Sequence, residues 1–245
     1  MNEQSNRLLI AGNWKANGSL AMIEDWGAGF KAPEGLDALV FAPAPYLRHA
    51  ADRIAGAAVG AQDLDDVDDG AHTGCVTARM LADIGCRWTL AGHSERRQAG
   101  ESGVLVGAKL ARAAAAGISV VLCVGESQAE REAGRLEEVL RSQLDEGLPA
   151  AWPAGVEIAI AYEPVWAIGT GLAASAADAQ QAGAWIRSCL AGRGADGKIR
   201  ILYGGSVKAG NAAGFVGQPD IDGLLIGGAS LEAGSFSAIC AEVLA

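Results

Sequence analysis

Apolar and polar positions along the chain alternate between two kinds of segment. Short, nearly continuous apolar runs occupy Leu8 to Trp14, Ala38 to Ala42, Ala57 to Ala61, Trp88 to Ala91, Ile118 to Val124, Glu157 to Tyr162, Ile199 to Tyr203 and Gly223 to Ile226. Between and after them lie Ala-, Leu- and Glu-rich stretches with helical character: Leu20 to Phe30, Tyr46 to Ile54, Thr77 to Ile84, Gly103 to Ala116, Gln128 to Glu146, Ala176 to Ala191, Gly210 to Val216 and Glu232 to Leu244. Strands without a polar face, each followed by a helix, predict a parallel sheet covered by helices. Eight such units either close into a (β/α)8 barrel or form an open doubly wound sheet, and periodicity does not decide between them. No Gly-, Ser- or Pro-rich linker interrupts the rhythm, so one domain spanning residues 1–245 is expected.

Length supports the barrel: 245 residues shared among eight units is about 31 each, close to a minimal βαβ repeat. Half of the residues are hydrophobic and only 7 are Pro, which excludes a disordered chain. A formal net charge of −10 argues against nucleic acid or an anionic membrane as a partner. The 34 glycines are about twice ordinary usage, so many tight turns or close backbone approaches are expected. Five cysteines, Cys75, Cys86, Cys123, Cys189 and Cys240, are odd in number and lack C-x-x-C spacing, which points away from a disulfide framework or zinc site. Leu8 to Ala11 is too short for a signal-peptide core, and Ala113 to Gly125 too short to span a bilayer. A soluble, cytoplasmic protein is the expectation.

Polar residues cluster just after the strand ends, where parallel α/β folds bind ligands. Asn13-Trp14-Lys15 offers a cation there for an anionic substrate, though a surface lysine explains the tripeptide equally well. His93 follows Ala91-Gly92 and precedes Ser94-Glu95-Arg96-Arg97. With Ser94 as N-cap, the ring would sit at a helix N-terminus, whose positive potential keeps imidazole neutral and able to donate to an oxyanion. Glu163 opens Glu163-Pro164-Val165-Trp166-Ala167-Ile168-Gly169-Thr170-Gly171. Pro164 stiffens one end of this segment, Trp166 and Ile168 supply apolar cover, and Gly169 and Gly171 free the other end. A carboxylate dried by such a lid is a candidate general base. Tyr203-Gly204-Gly205-Ser206 and Ile226-Gly227-Gly228-Ala229 follow strands and, read as opening helices, supply convergent backbone N–H groups for a phosphate. They fall after strands seven and eight, where barrels commonly hold one.

Other features carry less. Asp63 to Gly70 is acidic but fails the calcium-loop pattern, since Val67 and Val76 fall at ligand positions; a solvated loop is the simpler reading. His49, His72 and His93 lack metal-ligand spacing. Cys123 ends a strand without a neighbouring histidine, which favours a buried structural thiol over a nucleophile.

Five segments together, Ala11 to Lys15, Ala91 to Arg97, Tyr162 to Gly171, Tyr203 to Val207 and Gly223 to Leu231, resemble the triosephosphate isomerase family nearly end to end. The resemblance implies a closed, parallel, eight-stranded TIM barrel and interconversion of dihydroxyacetone phosphate and glyceraldehyde 3-phosphate. It implies Glu163 as the base, His93 as the group polarising the carbonyl, and Lys15 stabilising the dianion with Asn13 beside it. Gly169, Ser206, Gly227 and Gly228 would bind phosphate, with Glu95 and Cys123 in support. It implies no metal or organic cofactor. A homodimer is expected through a Gln62–Ala78 loop, whose tip is Ala71-His72-Thr73-Gly74-Cys75. Cys75 stands where the family pattern has Glu, which removes a carboxylate partner for Arg96, and Asp63 stands where Asn is common. An aldolase using Lys15 as a Schiff base and a non-catalytic binding barrel are the competing readings.

Overall fold

Successive strand residues face opposite ways, and this divides the apolar side chains into two buried layers. Leu9, Ala11, Leu39, Phe41, Leu90, Val121, Cys123, Ala159, Ala161, Leu202 and Leu225 pack together in one. Their neighbours in sequence, such as Ile10, Val40, Val120, Leu122 and Ile160, join the helices in a second, larger one. A computed structural model describes residues 7–151, 153–167, 174–195 and 199–245. Its strands are β1 (Leu8–Asn13), β2 (Leu36–Ala42), β3 (Ala58–Ala61), β4 (Trp88–Ala91), β5 (Ser119–Val124), β6 (Ile158–Tyr162), β7 (Ile201–Tyr203) and β8 (Gly223–Ile226). All pair in parallel and in sequence order, and β8 returns to β1 through the register Leu9↔Gly223 to Gly12↔Ile226, so the sheet is a closed barrel. The smaller layer fills the barrel and the larger lies between barrel and helices.

The helices are α1 (Leu20–Gly29), α2 (Leu47–Arg53), α3 (Ala78–Asp83), α4 (Ser94–Gln98), α5 (Gly103–Ala115), α6 (Gln128–Glu132), α7 (Leu136–Gly147), α8 (Ala176–Gly192), α9 (Ala212–Val216) and α10 (Ala233–Glu242). Side-chain oxygens of Ser19, Thr77, Ser102, Ser127 and Ser175 cap α1, α3, α5, α6 and α8, each satisfying a backbone N–H that the helix leaves free.

Three sequence expectations change. The helix read over Gln128 to Glu146 breaks in two at Gly134, whose φ of +69° is open to glycine at little cost. The segment after β7 does not open a helix, because α9 begins only at Ala212. The short helix α4 is capped by His93 itself, not Ser94.

Polar groups close the end of the barrel opposite the strand carboxyl ends. Arg200 reaches Asp37 and Glu157, both at 2.6 Å, and ties β2, β6 and β7. Arg187 on α8 donates to the Ile199 carbonyl at 2.6 Å and pairs with Asp222, which also accepts the Ile201 N–H at 2.8 Å. These contacts hold the scaffold at the end away from the candidate chemistry.

The candidate active site

β1 delivers Asn13 and Lys15 to the mouth of the barrel. The Asn13 Oδ1 accepts the Lys15 N–H at 2.9 Å, and Lys15 is the one non-glycine residue among those described with a left-handed backbone, at φ 50°. Such a conformation costs energy in a residue with a Cβ and persists only when neighbours enforce it. Gln62 is one of them: its Nε2 donates to the Lys15 carbonyl at 2.8 Å and to the Phe41 carbonyl at 3.0 Å. Lys15 Nζ then meets Glu95 Oε1 at 2.6 Å.

His93 follows β4 and is 6 % exposed. Its Nδ1 accepts the Glu95 N–H at 3.2 Å, and its Nε2 lies 3.0 Å from Glu163 Oε1. Accepting at Nδ1 leaves the proton on Nε2, which therefore donates to the carboxylate. Glu163, 3 % exposed at the end of β6, takes a second bond through Oε2 from the Ser94 N–H at 2.8 Å. The free carboxylate is thus held by the N-terminus of α4, where an anion is favoured.

Sequence reasoning expects a neutral imidazole from the helix terminus alone. Burial does depress the His93 pKa, but the Glu163 carboxylate on Nε2 and the Glu95 charge outweigh it and the opposing Lys15, so the net direction is upward. The difference arises because the resting carboxylate sits on the ring, which no local pattern reveals. In the free protein, 15N NMR is expected to show His93 titrating above the ordinary histidine value of 6.5, with Glu163→Gln bringing it down; a lower value in the unsubstituted protein would contradict this. Because the folded-state value is raised, the associated stability is complete below the ordinary histidine pKa. It is lost as pH rises through the folded-state one.

Lys15, His93 and Glu163 line one cavity of about 320 Å³ together with Asn13, Ser206, Gly227 and Gly228, a volume suited to a small ligand. Its β8 wall is fixed by two indoles: Trp14 Nε1 and Trp26 Nε1 each donate to the Ser230 carbonyl at 3.1 Å. Ser230 Oγ in turn donates to the Gly227 carbonyl at 2.7 Å. Ser206 is exposed, and its hydroxyl reaches the Ala167 carbonyl at 3.3 Å. Gly169, Gly171 and Ile168 lie outside the described residues. Cys123 does not line the cavity; it is fully buried beneath it, next to Glu163. Burial first, then the Glu163 charge, push its thiol far above the usual range, which makes it a poor nucleophile.

Four residues that sequence reasoning did not assign complete the surroundings. Besides Gln62, the Arg97 guanidinium donates to the carbonyls of Gly92 at 2.8 Å and Cys123 at 3.2 Å. Glu126, fully buried, accepts Tyr162 Oη at 3.0 Å and Trp166 Nε1 at 2.8 Å. Gln143 bonds Gly125. All four act across long sequence separations, and none is marked by a local pattern.

A second cavity of about 420 Å³ adjoins the first and shares Asn13, Lys15 and His93; its far side is Gln62, Asp65 and Val76. The acidic loop beside it is not simply solvated. Asp65 accepts the Val76 N–H at 2.7 Å, Asp69 accepts Thr77 Oγ1 at 2.7 Å, and Asp68 pairs with Arg112 at 2.7 Å. Asp63 pairs with Lys109 at 2.7 Å and with Arg96 at 3.0 Å, so Arg96 keeps a carboxylate despite Cys75. Burial pushes the Asp63 pKa upward against the pull of those cations. Among the described residues no cluster of three or more His, Cys, Asp or Glu is placed to hold a metal ion, and no helix is long and apolar enough to cross a membrane.

A family model described as triosephosphate isomerase matches residues 8–243. The chain is 52 % identical to the triosephosphate isomerase of Thiobacillus denitrificans over 239 residues, 95 % of this chain and 96 % of that one. It is 47 % identical to that of Pseudomonas putida over 244 residues, 96 % and 97 % of the two chains. Among solved structures, the triosephosphate isomerase of Bartonella henselae superposes with a TM-score of 0.87 at 38 % identity, covering 98 % of this chain and all of that one.

Proposed function

The chain belongs to the triosephosphate isomerase family, and from that premise we propose that its cavity interconverts dihydroxyacetone phosphate and glyceraldehyde 3-phosphate by proton transfer. The observation that carries the reading is the meeting of Lys15, His93 and Glu163 in one small cavity whose opposite wall is Ser206, Gly227 and Gly228. Backbone N–H groups of that wall, with Gly169 contributing from the lid, hold the phosphate. The Glu163 carboxylate leaves the Ser94 N–H and takes a proton from the carbon next to the carbonyl. From the carboxylic acid so formed, whose proton exchanges with solvent, a proton is delivered to the neighbouring carbon. His93 donates from Nε2 to the carbonyl oxygen as negative charge develops there, and shuttles protons between the two oxygens.

Once the carboxylate has moved to substrate, the main cause raising the His93 pKa is gone. Its Nδ1 still accepts from Glu95, and the neutral, donating form is favoured. Lys15 stabilises the dianion and the developing oxyanion, held in place by Asn13, Gln62 and Glu95. The segment from Pro164 onward closes over the intermediate, keeping water from an enediolate that would otherwise eliminate phosphate. Its near end is anchored by the Trp166–Glu126 bond.

Family membership argues against the Schiff-base aldolase, and a coupled isomerisation assay separates an enzyme from a binding barrel. Turnover that is indifferent to a chelator is expected; no turnover would overturn the proposal.

We further propose that two copies associate, with the Gln62–Ala78 loop of one entering the 420 Å³ cavity beside Lys15 of the other. The loop is pre-shaped by its ion pairs to Arg112, Lys109 and Arg96, which lowers the ordering cost of docking. Sedimentation is expected to give a dimer at micromolar concentration, and a monomer there would contradict this.

A further inference from the structure

Where β5 ends, the chain turns away from the barrel at Gly125, a buried residue with no partner strand for its peptide groups. One side chain supplies both partners. The Gly125 N–H donates to Gln143 Oε1 at 2.8 Å, and Gln143 Nε2 donates to the Gly125 carbonyl at 3.0 Å. Gln143 reaches in from α7, on the outer ring, and its amide presents the donor and acceptor that a neighbouring strand would offer.

Gly125 itself presses on the backbone of Glu163. A Cβ at this position would lie 1.7 Å from the Glu163 carbonyl oxygen and 2.7 Å from its carbon. On either side of that contact the two segments are bonded: the Glu163 N–H donates to Val124 at 2.8 Å and the Val165 N–H to Glu126 at 3.2 Å. Pro164, between them, has no N–H to give. The middle of this short tract is therefore held by Gln143 from behind and by hard contact in front.

We propose that Gln143 is a positioning residue for Glu163, acting through the backbone of Gly125. Without its amide, two buried peptide groups lose their partners. Gly125 then moves to find others, and the Glu163 backbone in contact with it follows. Displacing a reacting carboxylate by about 1 Å costs on the order of 10²-fold in rate. The phosphate wall, on the loops after β7 and β8, is not touched by Gln143. The inference rests on Glu163 being the base.

The test uses the full-length enzyme with Gln143→Met, Gln143→Glu and Glu163→Gln, measured in parallel. Gln143→Met keeps the length and loses both bonds; it is expected to lower kcat about tenfold or more, with KM within about twofold and unchanged affinity for inorganic phosphate. In Gln143→Glu, the ionised side chain still accepts the Gly125 N–H but turns a lone pair on the Gly125 carbonyl. When protonated it donates there as the amide does. Its kcat relative to the unsubstituted enzyme is therefore expected to rise as pH falls, a recovery that a purely space-filling role would not give. An unaltered kcat in Gln143→Met, or a flat ratio against pH in Gln143→Glu, overturns the inference while leaving the base assignment standing. Should Gln143→Met fail to fold, the pH ratio of Gln143→Glu decides alone. Activity retained in Glu163→Gln would instead overturn the base assignment, and this inference with it.

Discussion

Glu163→Asp should lower kcat on the order of 10²-fold or more while leaving KM within a fewfold, because it withdraws the carboxylate by about 1 Å without touching the phosphate wall. The carboxylate is held by geometry as much as by chemistry. One oxygen takes the Ser94 N–H, the other faces His93, and the backbone below is braced by Gly125. A side chain shorter by one methylene cannot keep the approach to a substrate carbon that this scaffold sets. The replacement remains a carboxylate, so burial and net charge barely change and the protein should fold normally. Steady-state kinetics in both directions check this. A variant with near-normal kcat, or one whose deficit lies wholly in KM, would remove Glu163 from the role of base.

Lys15→Met should be comparably damaging, but through both parameters. Glu95 and Glu163 stand close to the site, and the chain carries a formal charge of −10, so in the proposed reaction Lys15 is the cation that would make the cavity hospitable to a phosphate dianion. Removing one partner of a partly buried charge pair costs about 2–5 kcal/mol, which is on the order of 30- to 5,000-fold in kcat/KM. KM should rise through lost ground-state attraction and kcat should fall through lost stabilisation of the oxyanion. The residual rate should depend less on ionic strength than that of the unsubstituted enzyme, because a screened attraction has been removed. The variant loses only an ion pair to a half-exposed glutamate, so a drop in kcat/KM of less than about tenfold would show that Lys15 is not the principal cation. The left-handed backbone at Lys15 also has a consequence: Asn13 and Gln62 hold that conformation, and the replacement inherits the strain without the charge.

The barrel was legible in the chain because its causes are local. Each strand reads as an apolar run, since both faces are covered, and five of the ten described helices, α1, α3, α5, α6 and α8, are announced by a capping serine or threonine. Most boundaries moved by a residue or two; the one large change is at Gly134, whose left-handed backbone divides α6 from α7. Closure of the sheet was not local. It depends on β8 pairing with β1; from sequence, length made a barrel fit and resemblance to a known family decided for it over an open sheet.

The candidate site was legible to a similar extent, for a related reason. Lys15, His93, Glu163, Ser206, Gly227 and Gly228 all follow strand ends, and closure of the barrel gathers strand ends by construction. What joins these residues was hidden. His93 caps α4 and shares its Nε2 with Glu163; Gln62 braces Lys15 from 47 residues away; Gln143 clasps Gly125. A glutamine on a helix face or a half-buried arginine such as Arg97 has no pattern that separates a structural role from solvation until its partners are seen. The pairing of Arg96 with Asp63 is of the same kind.

In the proposed reaction Glu163 moves a carbon-bound proton of a triose phosphate in the cavity it shares with His93 and Lys15. Incubating dihydroxyacetone phosphate with the enzyme in D2O and following the carbon-bound hydrogens by NMR tests it most directly. Glyceraldehyde 3-phosphate carrying solvent deuterium at the carbon next to the aldehyde is expected, with neither product nor exchange from Glu163→Gln at equal concentration. Exchange undiminished in Glu163→Gln, or no carbon-bound deuterium and no product with the unsubstituted enzyme, would contradict it.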